Sequence, residues 1–382
     1  MEKTKVNDTH TPVPTVMCAM ATSASPSVFS IAVAKETQVD GGNIHGQTQR
    51  PLAHFHLYRL SNMSSSQLQL RVFLKLAWWI VSCTAWTSLL GSKTRSAPPS
   101  NVKLLILPGF GNDPVDYELP QAPEGSLIQS LKSRGWSEDQ IRTLPMKRSD
   151  WLQVFWKGCF DPLFWAGNAP PTRPAFAWYL ERIQSTVQEM CSSDDEVVVL
   201  LAHSAGGWLA RAAVSKDDSI RPKIAGLVTL GSPHTPPPPE IMDMTRGALL
   251  WTDKTFPGAY HREELFYLSV AGDAISGREQ QRQSPLEPRT AAGFAFDSYK
   301  TVCGDGETTG DGVVPLCAAH LDNATQLTLQ GVFHSINAPT SWYGSEGKID
   351  SWHDVMLQKL DQTARLKGAN EEVQFILDIF SR

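Results

Sequence analysis

Residues 196–213 read EVVVLLAHSAGGWLARAA, and the order of features in this stretch decides the fold. Val197 to Ala202 form an unbroken apolar run of strand length, the pattern of a strand covered on both faces in a parallel sheet. His203-Ser204-Ala205-Gly206-Gly207 then turns the chain, and Trp208, Leu209, Ala212 and Ala213 recur at the spacing of one helix face. A sharp strand-turn-helix of this kind lifts its serine above the sheet in strained backbone geometry. It also presses together the residues two before and two after the serine, so both must be small. Here they are Ala202 and Gly206, which makes the motif A-H-S-A-G where G-x-S-x-G is the usual form. The helix behind the turn presents unpaired N–H groups and a positive dipole end. The pattern nominates Ser204 as a nucleophile and the Ala205 N–H as one oxyanion donor. The bland alternative is a buried serine at an ordinary strand-to-helix turn.

Composition narrows the possibilities around that motif. At 382 residues with 41% hydrophobic and 19% charged content, the chain can bury a large core and is neither fibrous nor disordered throughout. Residues 98–382 hold 25 Lys and Arg against 35 Asp and Glu, a net of −10, which argues against a nucleic-acid partner and fits a neutral or lipid-like substrate. The six cysteines form no C-x-x-C pair, so neither a zinc site nor a thioredoxin-like motif is expected. Cys303 and Cys317 bracket a glycine-rich loop and are read either as two unrelated buried thiols or as a disulfide of an oxidising compartment.

Residues 1–97 differ from the rest. They carry nine Lys and Arg against four Asp and Glu, and their first 62 residues are rich in Ser, Thr, Pro and Gln without a sustained apolar period. From Met63 a hydrophobic stretch over 72–90 follows Arg71, with Lys75 near its start. Its core, Leu76 to Leu90, is short for a membrane span, which needs ~20 residues. The expectation is a targeting segment, cleaved near Ala97, that delivers the body to a plastid or another membrane-system compartment. ER delivery, secretion or a membrane anchor are the alternatives, and Met63 is an alternative start.

Within the body, Val102 to Leu107 reads as the first strand and runs into Pro108-Gly109-Phe110-Gly111, the place where a second oxyanion N–H is supplied, from Phe110. Ser126 to Ser133 reads as a short helix, Ile141 to Leu144 as a strand, and Phe176 to Met190 as an amphipathic helix leading into the quoted stretch. Between them Trp151, Phe155, Trp156, Phe160, Phe164 and Trp165 crowd into fifteen residues. Such aromatics fill a core, line an acyl pocket or meet a membrane surface. Ile224 to Leu230, Leu265 to Ala271 and Ala324 to Val332 read as further strands, with an apolar cap over about 235–264 and helices near 349–361 and 370–381. A polar stretch runs from Gly272 to Thr301.

With Gly231-Ser232-Pro233-His234 after one strand, the G-D-G-V-V-P loop at 310–315 and His334 after the last strand, the chain resembles the α/β-hydrolase superfamily. It resembles more narrowly the lipase branch of GPI inositol deacylase-like and lecithin:cholesterol acyltransferase-like serine esterases. The resemblance covers residues 101–361. It implies an α/β-hydrolase fold, a mostly parallel central sheet flanked by helices with a cap insertion. It also implies Ser204 as nucleophile, Asp311 as acid and His334 as base, and no metal or organic cofactor. The residues themselves leave Asp273 and Asp305 open as rival acids. Among other histidines, His203 points the wrong way for a base, His234 caps a strand, His320 follows no strand end and His353 sits in a helix. The implied activity is cleavage of carboxylic esters, lipid acyl esters in particular, through an acyl-enzyme. Acyl transfer by the same triad and a catalytically silent binding protein are the alternatives.

Overall fold

The computed structural model describes residues 97–118, 126–281, 284, 287–338 and 341–363. In chain order the strands are β1 (Val102–Leu107), β2 (Ile141–Thr143), β3 (Val197–His203), β4 (Ile224–Leu230), β5 (Phe266–Gly272), β6 (Ile275–Ser276), β7 (Thr309–Gly310) and β8 (Thr325–Leu329). Six of them form one sheet in the order β2-β1-β3-β4-β5-β8, while β6 and β7 make a small separate ribbon. Every neighbouring pair in the large sheet is parallel.

Side chains alternate across a strand, so each strand supplies two cores. Leu105, Leu107, Val198, Leu200 and Ala202 join one buried cluster, and Leu104, Ile106, Val199 and Leu201 join the other. This double burial is why the strands read as continuous apolar runs. The helices are α1 (Pro114–Glu118), α2 (Leu127–Lys132), α3 (Leu152–Gly158), α4 (Pro162–Trp165), α5 (Pro174–Met190), α6 (Ala205–Lys216), α7 (Ala248–Thr255), α8 (Ala291–Cys303), α9 (Leu316–Ala319) and α10 (349–363). The first face is covered by α5 and α6 through Phe176, Tyr179, Ile183, Trp208 and Leu209. The second is covered by Leu127 and Leu131 of α2 and Trp352 and Met356 of α10. The expected parallel sheet with helices on both sides is present.

The topology positions a site. The chain runs from β1 outward to the edge strand β2, then returns past β1 to β3, and from there proceeds the other way through β4, β5 and β8. The loops leaving the carboxyl ends of β1 and β3 therefore diverge over a crevice, the place where open α/β sheets bind ligands.

Several local expectations change. The last strand stops at Leu329, short of Val332, because Gly331 turns the chain at φ 66. The stretch read only as polar holds α8, capped by the Thr290 hydroxyl accepting from Gly293 N–H at 3.0 Å and ended by left-handed Gly304. The aromatic segment splits: Trp151 and Phe164 are buried, whereas Phe155, Trp156, Phe160 and Trp165 face solvent. In the cap region Ala248 and Leu249 are core residues, and Met242 and Met244 are exposed. Buried Arg211 of α6 ties this region down by donating to the carbonyls of His234 and Phe256, both at 3.0 Å. Cys303 and Cys317 are both free, so no disulfide joins them; Cys317 is exposed rather than buried, Cys303 is half-buried with its thiol donating to Asp305 O at 3.4 Å, and burial pushes the Cys303 thiol up to about 11. The targeting segment expected over 1–97, its hydrophobic stretch and the helix near 370–381 lie outside the described residues, save Ala97. Among the described residues no helix is long and apolar enough to cross a membrane.

Candidate active site

Ser204 sits at φ 54 and ψ −126, a left-handed backbone that a non-glycine residue adopts only under constraint. The constraint is visible. Its N–H donates to Leu230 O of β4 at 3.0 Å, so the turn is tied to the neighbouring strand while α6 begins at the next residue. A side chain at Gly206 would place its Cβ 2.6 Å from Leu107 O, which explains the glycine. Ala202, where the usual motif has glycine, is fully buried, and its methyl group is absorbed by the core beneath the sheet.

Three side chains from three loops meet above the sheet. Ser204 Oγ lies 2.9 Å from His334 Nε2, and His334 Nδ1 lies 2.7 Å from Asp311 Oδ2. An ionised carboxylate only accepts, so the proton sits on Nδ1 and leaves Nε2 to accept from the serine hydroxyl. Asp311 is almost fully buried, and its charge is met by four donors. Val313 N–H and Val314 N–H reach Oδ1 at 3.0 and 2.7 Å, and Tyr343 OH joins His334 at Oδ2, at 2.8 Å. His334 is held by its backbone as well, its N–H donating to Asp311 O at 2.8 Å.

The Pro108–Gly111 loop is pinned beside the serine. Gly109 N–H donates to Tyr117 Oη at 3.1 Å, and Tyr179 OH donates to Pro108 O at 2.7 Å. A Cβ on Gly109 would lie only 2.7 Å from that of Ser204, so the loop backbone passes against the nucleophile. Phe110 follows, its ring exposed against Trp151 at a centroid distance of 5.1 Å. Among the described residues neither Phe110 N–H nor Ala205 N–H is engaged by another protein group.

His203 plays a part that its position beside the serine did not suggest. Its Nδ1 is 3.0 Å from Tyr117 Oη and its Nε2 is 3.1 Å from His334 O. A carbonyl can only accept, so Nε2 carries the proton and Tyr117 OH donates to Nδ1. The ring lies 4.8 Å from that of His334, centroid to centroid. Burial, with the nearby His334 adding to it, lowers the His203 pKa to about 3, so this ring stays neutral. Gly109, Tyr117, His203 and His334 thus form one hydrogen-bonded line joining the loop after β1 to the loop after β8.

The other candidates lie elsewhere. Asp273 accepts from Gly331 N–H at 2.8 Å and Asp305 from Glu307 N–H at 2.9 Å, neither bond reaching a histidine. His234 bonds Thr229 Oγ1 at 3.0 Å in the core, His320 bonds Thr328 Oγ1 at 2.9 Å, and His353 Nε2 accepts from Trp136 Nε1–H at 2.8 Å. Tyr343 and Tyr117 escaped the sequence reading. Each is a lone tyrosine outside any periodic run, and only the coordinates bring its hydroxyl to the site. Burial and the Asp311 charge push the Tyr343 phenol well above its ordinary range, so it remains a donor. Among the described residues no group of three or more His, Cys, Asp or Glu is gathered as a metal site.

Comparison with known proteins gives one family match and several structural likenesses. Residues 176–249 match the model of the PGAP1-like alpha/beta domain, a stretch holding most of α5 together with β3, Ser204, α6 and β4. No curated protein matches. Among solved structures the chain is similar to the mature lipase BlEst2 of Bacillus licheniformis, with 15% identity, a TM-score of 0.42, and coverage of 71% of this chain and 96% of that one. It is also similar to the metagenomic carboxyl esterase MGS0156, at 13% identity and TM-score 0.40, covering 73% and 80%. A soluble variant of the Saccharomyces cerevisiae monoglyceride lipase, in complex with a substrate analog, shows 10% identity and TM-score 0.34, covering 71% and 89%.

Proposed function

We propose that this α/β-hydrolase-fold chain is a serine esterase that cleaves carboxylic esters, with lipid acyl esters as its substrate class, through an acyl-enzyme. The observation that carries the reading is the unbroken line from Ser204 Oγ through His334 to Asp311, at 2.9 and 2.7 Å. His334 Nε2 takes the hydroxyl proton as Ser204 Oγ attacks the ester carbonyl. The imidazolium that forms faces Asp311, whose charge the four donors hold in place without neutralising it. The carbonyl oxygen, now negative, is met by the N–H groups of Ala205 and Phe110. Each such donor is worth ~10²–10³ in rate. His334 returns its proton to the departing alcohol, and a water activated by the same nitrogen releases the acid. The exposed Phe110 ring, on the loop whose Gly109 backbone passes against Ser204, suits an acyl chain better than a polar one.

Ser204→Ala removes one oxygen from a position whose backbone is held by Leu230 O, so the fold should persist while turnover of a p-nitrophenyl acyl ester is lost. Loss of the nucleophile should cost on the order of 10⁶ in kcat. Turnover within about tenfold of wild type, or labelling of the variant by a fluorophosphonate as fast as wild type, would remove Ser204 from this role.

A further inference from the structure

The strongest feature the proposed chemistry leaves unused is the outward face of α3 and α4. Helix α3 carries two apolar stripes. Trp151 before it, Val154 and Gly158 turn inward, with Gly158 close against the Phe164 ring. Leu152, Phe155 and Trp156, at the i, i+3 and i+4 positions of a second stripe, turn to solvent, and Phe160, Leu163 and Trp165 continue that face. Phe160 is 86% and Trp156 71% exposed, so these rings stand proud of the surface.

Most charges around this face are taken up in ion pairs. Asp161 is matched by a bidentate contact from Arg173 at 2.8 and 2.9 Å, and Asp150 is matched by Arg182 at 2.6 Å. Lys157, between the exposed rings, is exposed and has no acidic partner among the described residues. Residues 147–173 hold four Lys and Arg against two Asp and Glu, on a body whose net charge is −10; Arg148 is engaged by Asp116 at 2.7 Å and Arg173 by Asp161, so the segment's excess positive charge lies on Lys147 and Lys157. A protein partner in a rigid, shape-matched interface would want a flat or concave apolar face. Separate protruding tryptophan and phenylalanine rings around a free lysine suit a fluid interface that closes around each ring and offers negative headgroups to the lysine. The inward side of the same segment reaches the candidate active site: buried Trp151 packs on Phe110, and its Nε1–H donates to Asn112 O at 3.1 Å.

We infer that α3 and α4 form a docking surface for an anionic lipid bilayer, with Phe155, Trp156 and Phe160 entering the headgroup layer and Lys157 pairing with anionic headgroups. This rests on the esterase reading only for its purpose, delivery of lipid esters to Ser204. The docking itself is independent of catalysis.

The test uses the full chain and vesicles of phosphatidylcholine with or without phosphatidylglycerol. Because residues 72–90 are apolar in their own right, depth is read locally, by quenching of tryptophan emission with brominated acyl chains in wild type and in Trp156→Phe. Wild type should show a quenched component that Trp156→Phe lacks. Phe155→Ser/Trp156→Ser/Phe160→Ser together should weaken binding to phosphatidylglycerol vesicles by about a hundredfold, since each ring returned to water is worth roughly a factor of five. Hydrolysis of a short soluble ester should stay unchanged in that variant. If wild type and Trp156→Phe are quenched alike, or if wild type binds neutral vesicles as tightly as anionic ones, the proposal falls. It also falls if wild type sediments as a dimer and the triple variant as a monomer, because the face then meets a second copy. An inactive wild type that still shows the quenching difference would sink the esterase reading and leave the docking surface standing.

Discussion

Replacing Asp311 by Asn tests the direction of proton flow at the candidate active site, and the local geometry fixes the result. Asp311 Oδ1 accepts from the N–H groups of Val313 and Val314, at 3.0 and 2.7 Å, while Oδ2 accepts from Tyr343 OH and His334. An asparagine amide has one oxygen and one NH₂. Turning its oxygen toward Oδ2's position would aim the NH₂ at two backbone donors, leaving buried N–H groups unmatched at a cost of ~1–3 kcal/mol each. The oxygen therefore takes the Oδ1 position, and the NH₂ faces His334 Nδ1. That nitrogen must then accept, which moves the imidazole proton to Nε2 and removes the base that Ser204 needs. A wrong tautomer of this kind costs ~10⁴ in kcat, or about 5.5 kcal/mol of transition-state stabilisation. Asp273→Asn is the control, because its carboxylate only accepts from Gly331 N–H at 2.8 Å, which an amide oxygen also does. Its activity should stay within about twofold, as for a surface change remote from the chemistry. Steady-state hydrolysis of a soluble ester by both variants, with circular dichroism to establish folding, decides the matter. Asp311→Asn retaining activity within about tenfold, or Asp273→Asn losing more, would show that the acid lies elsewhere.

Two further outcomes follow from the neighbours. Tyr343→Phe removes a donor to Asp311 and the acceptor of Gly272 N–H, both at 2.8 Å. It should cost ~1–3 kcal/mol in stability and lower kcat more than KM, checked by urea titration and kinetics. His203 has a folded pKa of about 3, below the ordinary 6.5. Its contribution to stability is therefore complete above pH 6.5 and lost as pH falls toward 3, about 5 kcal/mol in all. His203→Gln should accordingly flatten the unfolding free energy against pH over that window by about one proton. A slope equal to wild type would mean the ring is already charged in the folded state.

What was legible in the sequence follows from what a periodic pattern can carry. Strands β1 and β4 were read to the residue because both faces are apolar and their ends are marked by Pro108 and Gly231. The Ser204 turn was legible for the same reason, as punctuation between two strong patterns. Helix α8 was not, because only Gly293, Ala295 and Tyr299 are buried, too few to write an apolar stripe. The outward aromatics of α3 stayed open between core, acyl pocket and membrane surface, because spacing does not say which side of a helix meets solvent. Tyr117 and Tyr343 act through a single oxygen each, and a hydroxyl's partner is a property of the assembled molecule.

The parallel sheet also governs when the site comes into being. Parallel neighbours cannot be joined by a tight hairpin, so every pairing closes a long loop before it yields a contact. Ser204 and His334 are 130 residues apart, and β3, β4, β5 and β8 must all be in register before their loops meet. During refolding, helices and the first strand pairs should appear early and esterase activity last. Recovered activity would then mark the slowest step, and the interval before β8 pairs is when the apolar edge of β5 stands open to aggregation.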